Sequence, residues 1–160
     1  MTNYFQVGKN KILYVGDSFK KHFCSIDVKI PKKLKLKSKI LEKWMLDQDI
    51  LNHLKPKESN LGELAWALKN ESRMLKNGYA NIFYVRDKKN TLWAVNAGWS
   101  SDGWSVYAYS VTDPYGWDDG SQVFSQVFSV LKTLDSGDLE FRIKELEKFK
   151  QKVEKIINLT

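Results

Sequence analysis

Along Ala80–Arg86, Thr91–Trp99 and Trp104–Val111, β-branched, aromatic and small residues form three short runs separated by turn signals. Asp87-Lys88-Lys89-Asn90 supplies the first turn and Asp102-Gly103 a two-residue hairpin, so the pattern predicts an antiparallel meander. With Asp102-Gly103 as the loop, Ser101 pairs with Trp104, Trp99 with Val106, Ala97 with Ala108 and Val95 with Ser110. Side chains alternate between faces along a strand, and the register therefore sorts the aromatics. One face collects Ile82, Tyr84, Trp93, Val95, Ala97, Trp99, Trp104, Val106 and Ala108 as a core layer. The other collects Phe83, Val85, Leu92, Asn96, Gly98, Tyr107, Tyr109 and Val111, with Tyr107 opposite Gly98 and Tyr109 opposite Asn96.

The flanking patterns fill in the rest. Lys11 to Asp17 and His22 to Ile30 are rich in Ile, Val, Tyr and Phe and predict two short strands turning near Asp17-Ser18. Lys33-Leu34-Lys35-Leu36-Lys37 alternates strictly, as an edge strand or extended arm would, with lysines discouraging sheet pairing. Ile40, Leu41, Trp44, Leu51 and Leu54 recur at helical spacing over Ser38 to Leu54, and Pro56 stops that helix. Asn60 caps a second helix with Glu63 reaching back; Leu61, Leu64, Ala65, Leu68 and Leu75 form its stripe and Asn77-Gly78 its end. After a turn-rich link from Thr112 to Gly120, Val123, Val127, Val130, Leu131 and Leu134 predict a third helix. A last helix follows Ser136-Gly137-Asp138, with Leu139, Ile143, Leu146, Phe149, Val153 and Ile157 as a stripe for its own domain or for a homodimer. The sum is a single α+β domain over 1–160: basic strands and arm (1–37), helical pair (38–78), meander (79–111) and C-terminal helices (120–160). Its sheet is expected to be antiparallel, with the meander at the centre and about four helices against it.

Composition sharpens this picture. A domain of 160 residues buries roughly 68–70% of the surface of its unfolded chain and folds without staples. Cys24 is the single cysteine, which excludes an internal disulfide. The apolar runs fall short of the ~18 residues of a spanning helix and no leader pattern opens the chain, so a cytoplasmic, non-membrane protein is expected. Its net charge of +7 is uneven. Met1 to Asn60 holds thirteen lysines against six acids, whereas Leu61 to Thr160 balances thirteen cations with thirteen acids. Such asymmetry steers acidic partners toward the first third of the chain.

Little of the remaining chemistry points to catalysis. His22 and Cys24 would share a strand face, close enough for a thiol–imidazole pair only if both lean together. Asp113, Asp118 and Asp119 come nearest to a metal set, but Asp113 precedes Pro114 and Asp118-Asp119-Gly120-Ser121 reads as a turn leading into a helix. Val7-Gly8 and Val15-Gly16 lack the Lys-Ser or Lys-Thr of a phosphate loop. No catalytic residue, cofactor or metal is therefore assigned, and the expectation is a protein that is not an enzyme.

Two surfaces suit binding. Lys29, Lys32, Lys33, Lys35, Lys37 and Lys39 fall within eleven residues, a compact source of phosphate contacts. No aromatic residue is interleaved with them, and no Arg precedes Arg73. Four of the six tryptophans and Tyr107, Tyr109 and Tyr115 lie between Trp93 and Trp117, and no Lys or Arg occurs from Asn90 to Leu131. There Tyr107, Tyr109, Asp113, Tyr115, Trp117, Asp118 and Asp119 form the candidate contact set, since Trp and Tyr dominate interface hot spots and aspartates attract basic partners. The same residue types also serve sugar binding or a paired-carboxylate glycosidase.

The run from Trp104 to Ser125, with its spaced Trp104, Asp113-Pro114, Trp117, Gly120 and Gln122-Val123-Phe124-Ser125, resembles a segment of short uncharacterised phage and prophage proteins. That resemblance implies an inhibitor of host defence, such as an anti-CRISPR protein, acting in the host cytoplasm. The function expected is thus protein binding, docking on a host nuclease or other nucleic-acid-handling protein. Direct nucleic-acid binding through the lysines and a carbohydrate-active or sugar-binding module stay open as alternatives.

Overall fold

The computed structural model describes residues 4–127, 143–144, 147–151 and 154. The chain divides into two compact units, Met1–Val130 and Leu131–Thr160. In the second unit Ile143-Lys144, Glu147–Gln151 and Glu154 are helical, and an ion pair joins Lys150 to Glu154 at 4.0 Å. The rest of the expected third and last helices, including Val130, Leu131, Leu134, Leu139, Leu146, Val153 and Ile157, lies outside the described residues.

The first unit is α+β. Its elements run β1 (Ile12–Val15), α1 (Asp17–Phe23), β2 (Lys37–Ile40), α2 (Asp47–His53), α3 (Leu61–Asn70), β3 (Asn81–Arg86), β4 (Leu92–Ser100), β5 (Gly103–Ser110) and β6 (Gln122–Ser125). They build one six-stranded sheet in the order β1-β5-β4-β3-β6-β2. The meander β3-β4-β5 sits inside it, but the sheet is mixed: β1 pairs with β5, and β3 with β6, in parallel. That corrects the purely antiparallel expectation, and the cause is non-local pairing that no turn signal announces.

In the β4–β5 hairpin Ser100 pairs with Gly103, Trp99 with Trp104 and Ala97 with Val106, two residues out from the expected register. The turn is Ser101-Asp102, with Ser101 at φ 54°. Gly103 serves a different need, since a Cβ there would strike the Lys11 carbonyl and Leu13 of the adjoining β1. A shift of two conserves the alternation of faces. Trp104, Val106, Ala108, Val95 and Ala97 are accordingly buried together, with Trp93 and Trp99 half-buried against them. Opposite pairs change, however: Tyr107 faces Asn96, Tyr109 faces Ala94 and Gly98 faces Ser105. β3 is also reversed from expectation, because Phe83 pairs with Val95 and Val85 with Trp93. Phe83 and Val85 join the Trp104 layer, while Ile82 and Tyr84 point to the other side. As a central strand apolar on both faces, β3 carries no alternation that could have fixed this.

Helices α1 and α3 pack on the Trp104 side. His22 to Ile30 is not a strand: Phe19 and Phe23, one helical turn apart and with ring centroids 5.1 Å from each other, are both buried from α1. Full burial of each phenyl ring contributes about 1.5–3 kcal/mol. α3 starts as expected, the Asn60 side chain accepting from the Glu63 amide at 3.1 Å. It ends earlier, at Glu71 in a left-handed conformation rather than at Asn77-Gly78. On the opposite side Leu41, Ile50, Ile82, Tyr84, Ala94 and Val123 form a second cluster. The expected helix over 38–54 resolves into β2, a connecting segment and the short α2, so Ser38–Ile40 is an edge strand, flanked by lysines. Val123 belongs to β6, and the 118–121 turn therefore leads into a strand rather than a helix. Among the described residues no helix is long and apolar enough to cross a membrane.

Candidate functional site: an acidic aromatic face

The second cluster covers the β3, β4 and β6 part of its face with α2 and the segments around Met45 and Val111–Trp117. At the β1–β5 end that cover stops. Tyr14, Tyr107, Tyr109 and Trp117 form a row there, with centroid separations of 5.5 Å, 6.1 Å and 5.6 Å along it. Tyr14 is 46% and Tyr109 39% exposed. Beside the row a hollow of about 420 Å³ is lined by Tyr14, Asp17, Trp93, Tyr107, Tyr109 and Asp113, among others. Burial, and secondarily the charge that Tyr107 can carry, push the Tyr109 phenol above its ordinary value.

Beyond the row, the chain from Asp113 to Trp117 is pinned by backbone bonds. Asp113 donates to the Ser110 carbonyl at 3.0 Å, and Met45 and Trp117 exchange two bonds at 3.1 Å and 2.8 Å. Gly116 lies flat on the Trp44 indole, where a Cβ would collide with the ring and the Met45 carbonyl. The pinning aims the Trp117 indole inward, so that Nε1 donates to Asp47 Oδ1 at 2.8 Å. Tyr84 donates its hydroxyl to the same oxygen at 2.7 Å. Burial raises the Asp47 carboxyl above its ordinary value; the two hydrogen bonds oppose this and the charge of Asp113 adds to it. Asp47, Tyr109, Asp113, Tyr115, Gly116 and Trp117 enclose a cavity of about 220 Å³.

Five of the seven residues expected at the contact surface are thus gathered: Tyr107, Tyr109, Asp113, Tyr115 and Trp117. Asp118 and Asp119 are exposed on the following turn and line neither hollow. Sequence reasoning missed Asp47, Tyr14 and Tyr84. An available signal was Asp47 and Asp49 together, acids of the kind that open a helix, which would have started α2 at Asp47.

The lysines take a different place. Lys29, Lys32, Lys33, Lys35 and Lys37 are exposed and Lys39 is half-buried on β2. Lys35 and Lys37 line a hollow of about 560 Å³ with Trp66 and Arg73. The fold therefore brings an indole and a guanidinium to the lysines, which the sequence did not reveal. A larger hollow of about 770 Å³ along Lys39–Lys43, Met45 and Leu54 has no buried polar side chain in its lining.

The strand face expected to carry both His22 and Cys24 is absent, since His22 lies in the last turn of α1 and Cys24 caps it. The two sit two positions apart around the end of α1, which places them on different sides of the helix. His22 Nδ1 instead lies 2.9 Å from Asp87 Oδ2, with the ring over Trp93 at 4.1 Å between centroids. Asp87 also accepts from Trp93 Nε1 and from the Lys89 and Thr91 amides. Burial pushes the Asp87 carboxyl up, but the bonds from Thr91, Trp93, His22 and Lys89 outweigh it and hold it below its ordinary value. Among the described residues no three His, Cys, Asp or Glu side chains gather as metal ligands would.

No protein-family model matches the chain, and no curated protein or solved structure is significantly similar to it.

Proposed function

We propose that the chain is a non-enzymatic protein-binding module that docks through the Tyr14–Tyr107–Tyr109–Trp117 face. Its partner is a basic surface on a host nucleic-acid-handling protein such as a CRISPR or restriction nuclease, which makes it an inhibitor of the phage type. The observation that carries this reading is the continuous aromatic row beside Asp17, Asp47 and Asp113. Aromatic rings supply contact area at small entropic cost, and the carboxylates match surfaces that otherwise hold phosphate. Tyr109→Ala with Tyr115→Ala tests it, with circular dichroism and melting of the variant confirming that it is folded, since Tyr115 is 81% exposed and Tyr109 39%. In affinity capture from host lysate, wild type retains a nucleic-acid-binding protein that the double variant loses; equal recovery refutes the reading.

One observation favours a second reading. Lys35, Lys37 and Arg73 lie with Trp66 along one hollow, the combination of cations and a stacking ring used for single-stranded nucleic acid. Salt-dependent gel shifts separate the two. Neutralising Lys33, Lys35 and Lys37 abolishes binding under the second reading and leaves partner capture intact under the first.

A further inference from the structure

We propose that the cavity between Asp47 and the Asp113–Trp117 loop holds the cationic head of one arginine or lysine side chain, presented by the protein that docks on this face. The inference rests on the docking reading above and names the anchor that reading lacks. At about 220 Å³ the cavity is smaller than the roughly 300–1,000 Å³ of drug-sized ligand sites, and it suits a single side-chain head. Its walls are the rings of Tyr109, Tyr115 and Trp117, the last held by two backbone bonds to Met45. Aromatic faces attract organic cations through their quadrupole, and Arg in addition stacks on them.

The floor supplies the specificity. Asp47 is 1% exposed, and its Oδ1 accepts from both Tyr84 and Trp117. A carboxylate so far from water is unfavourable without a cation to pair with, and a second carboxylate, Asp113, lines the same space. No Lys, Arg or His lines the cavity to offset them. A guanidinium or ammonium entering between the two acids balances both charges and covers its own apolar stem with the rings. Phosphate is excluded by the same carboxylates.

The Trp117 indole N–H resonance of nitrogen-15-labelled protein reads occupancy directly. N-acetyl-arginine methylamide and N-acetyl-lysine methylamide are expected to shift it saturably, whereas the citrulline analogue, equal in shape to arginine but neutral, does not. Asp113→Asn and Tyr115→Ala are each expected to weaken binding several-fold, and Asp47→Asn by roughly tenfold or more, the loss of a buried charge-assisted contact. Tyr115 is 81% exposed, so its variant remains informative even where Asp47→Asn perturbs the fold. Equal binding of the citrulline analogue, no saturable shift with either cation, or full affinity in folded Tyr115→Ala and Asp113→Asn overturns the proposal. Tetramethylammonium binding far more tightly than both amides also overturns it, since the site would then belong to a free amine. Loss of partner capture in the tyrosine variants without any cation binding removes the anchor and leaves the docking surface; cation binding with undiminished capture does the reverse.

Discussion

Removing one oxygen, in Tyr84→Phe, isolates the buried network that supports the face. The Tyr84 ring is fully buried in the Leu41, Ile50, Ile82 and Val123 layer, and phenylalanine fills the same space, so no cavity opens. What is lost is the 2.7 Å bond to Asp47 Oδ1, which leaves that oxygen with the Trp117 indole alone. A hydrogen bond to a charged group contributes about 1.5–3 kcal/mol, against about 1 kcal/mol for a neutral pair. At neutral pH the variant should therefore lose roughly 2 kcal/mol. With a urea m-value on the order of 2 kcal/mol per molar, the midpoint falls by about 1 M. All six tryptophans precede residue 128, so indole fluorescence follows the unit that contains the network. Because the Asp47 carboxyl titrates above its ordinary 3.8, the penalty should shrink toward that of a neutral bond once the pH is low enough to protonate it. A loss that is the same at both pH values, or one below about 0.5 kcal/mol at neutral pH, refutes the assignment of a charged Asp47 held by Tyr84.

The two buried aspartates predict opposite pH limbs. Asp47 has a raised carboxyl, so its contribution to stability is full below about 3.8 and lost as pH rises through the folded value; Asp47→Asn removes that decline, visible as a stability difference growing with pH. Asp87 has a lowered carboxyl, so its contribution is present above about 3.8 and lost as pH falls through the folded value. Asp87→Asn should cost about 2–4 kcal/mol at neutral pH, because the amide cannot accept from all four donors, and should flatten the acid limb in chemical denaturation. Gly116→Ala should cost about 1–3 kcal/mol by forcing the loop off Trp44, and should weaken partner binding through displacement of Trp117. Unchanged melting and unchanged binding in that variant would contradict the pinned loop.

The legible parts of the fold were those set by local chemistry. Asn60 and Glu63 marked the start of α3 and Asp87–Asn90 the first turn of the meander, while the second turn fell at Ser101-Asp102, one residue before the expected Asp102-Gly103. Even the misplaced hairpin register kept Tyr107 and Tyr109 on the face away from Trp104, because the error was two residues. Long-range partners decided the rest. The strand expected over Lys11–Asp17 is β1, but its parallel pairing with β5 had no local signal, and nothing within Gln122–Ser125 distinguished β6, parallel to β3, from the start of a helix. Ile82 and Tyr84 fell on the wrong face because the run Ile82–Val85 is buried on both sides and has no polar position to orient it. Asp47 was hidden by its partners' distance, since Tyr84 and Trp117 lie 37 and 70 residues away. Likewise Trp66 came to the lysines only through the packing of α3 beside Leu34–Lys37.

The docking face is tested most directly by placing a photoreactive benzoylphenylalanine at position 115 and, in a separate protein, at position 35, then irradiating each in host cells. The account predicts adducts from position 115 on an arginine- or lysine-containing peptide of a nucleic-acid-handling protein, lost when excess nucleic acid occupies that protein. Adducts from position 35 alone, on nucleic acid or its complexes, would contradict it.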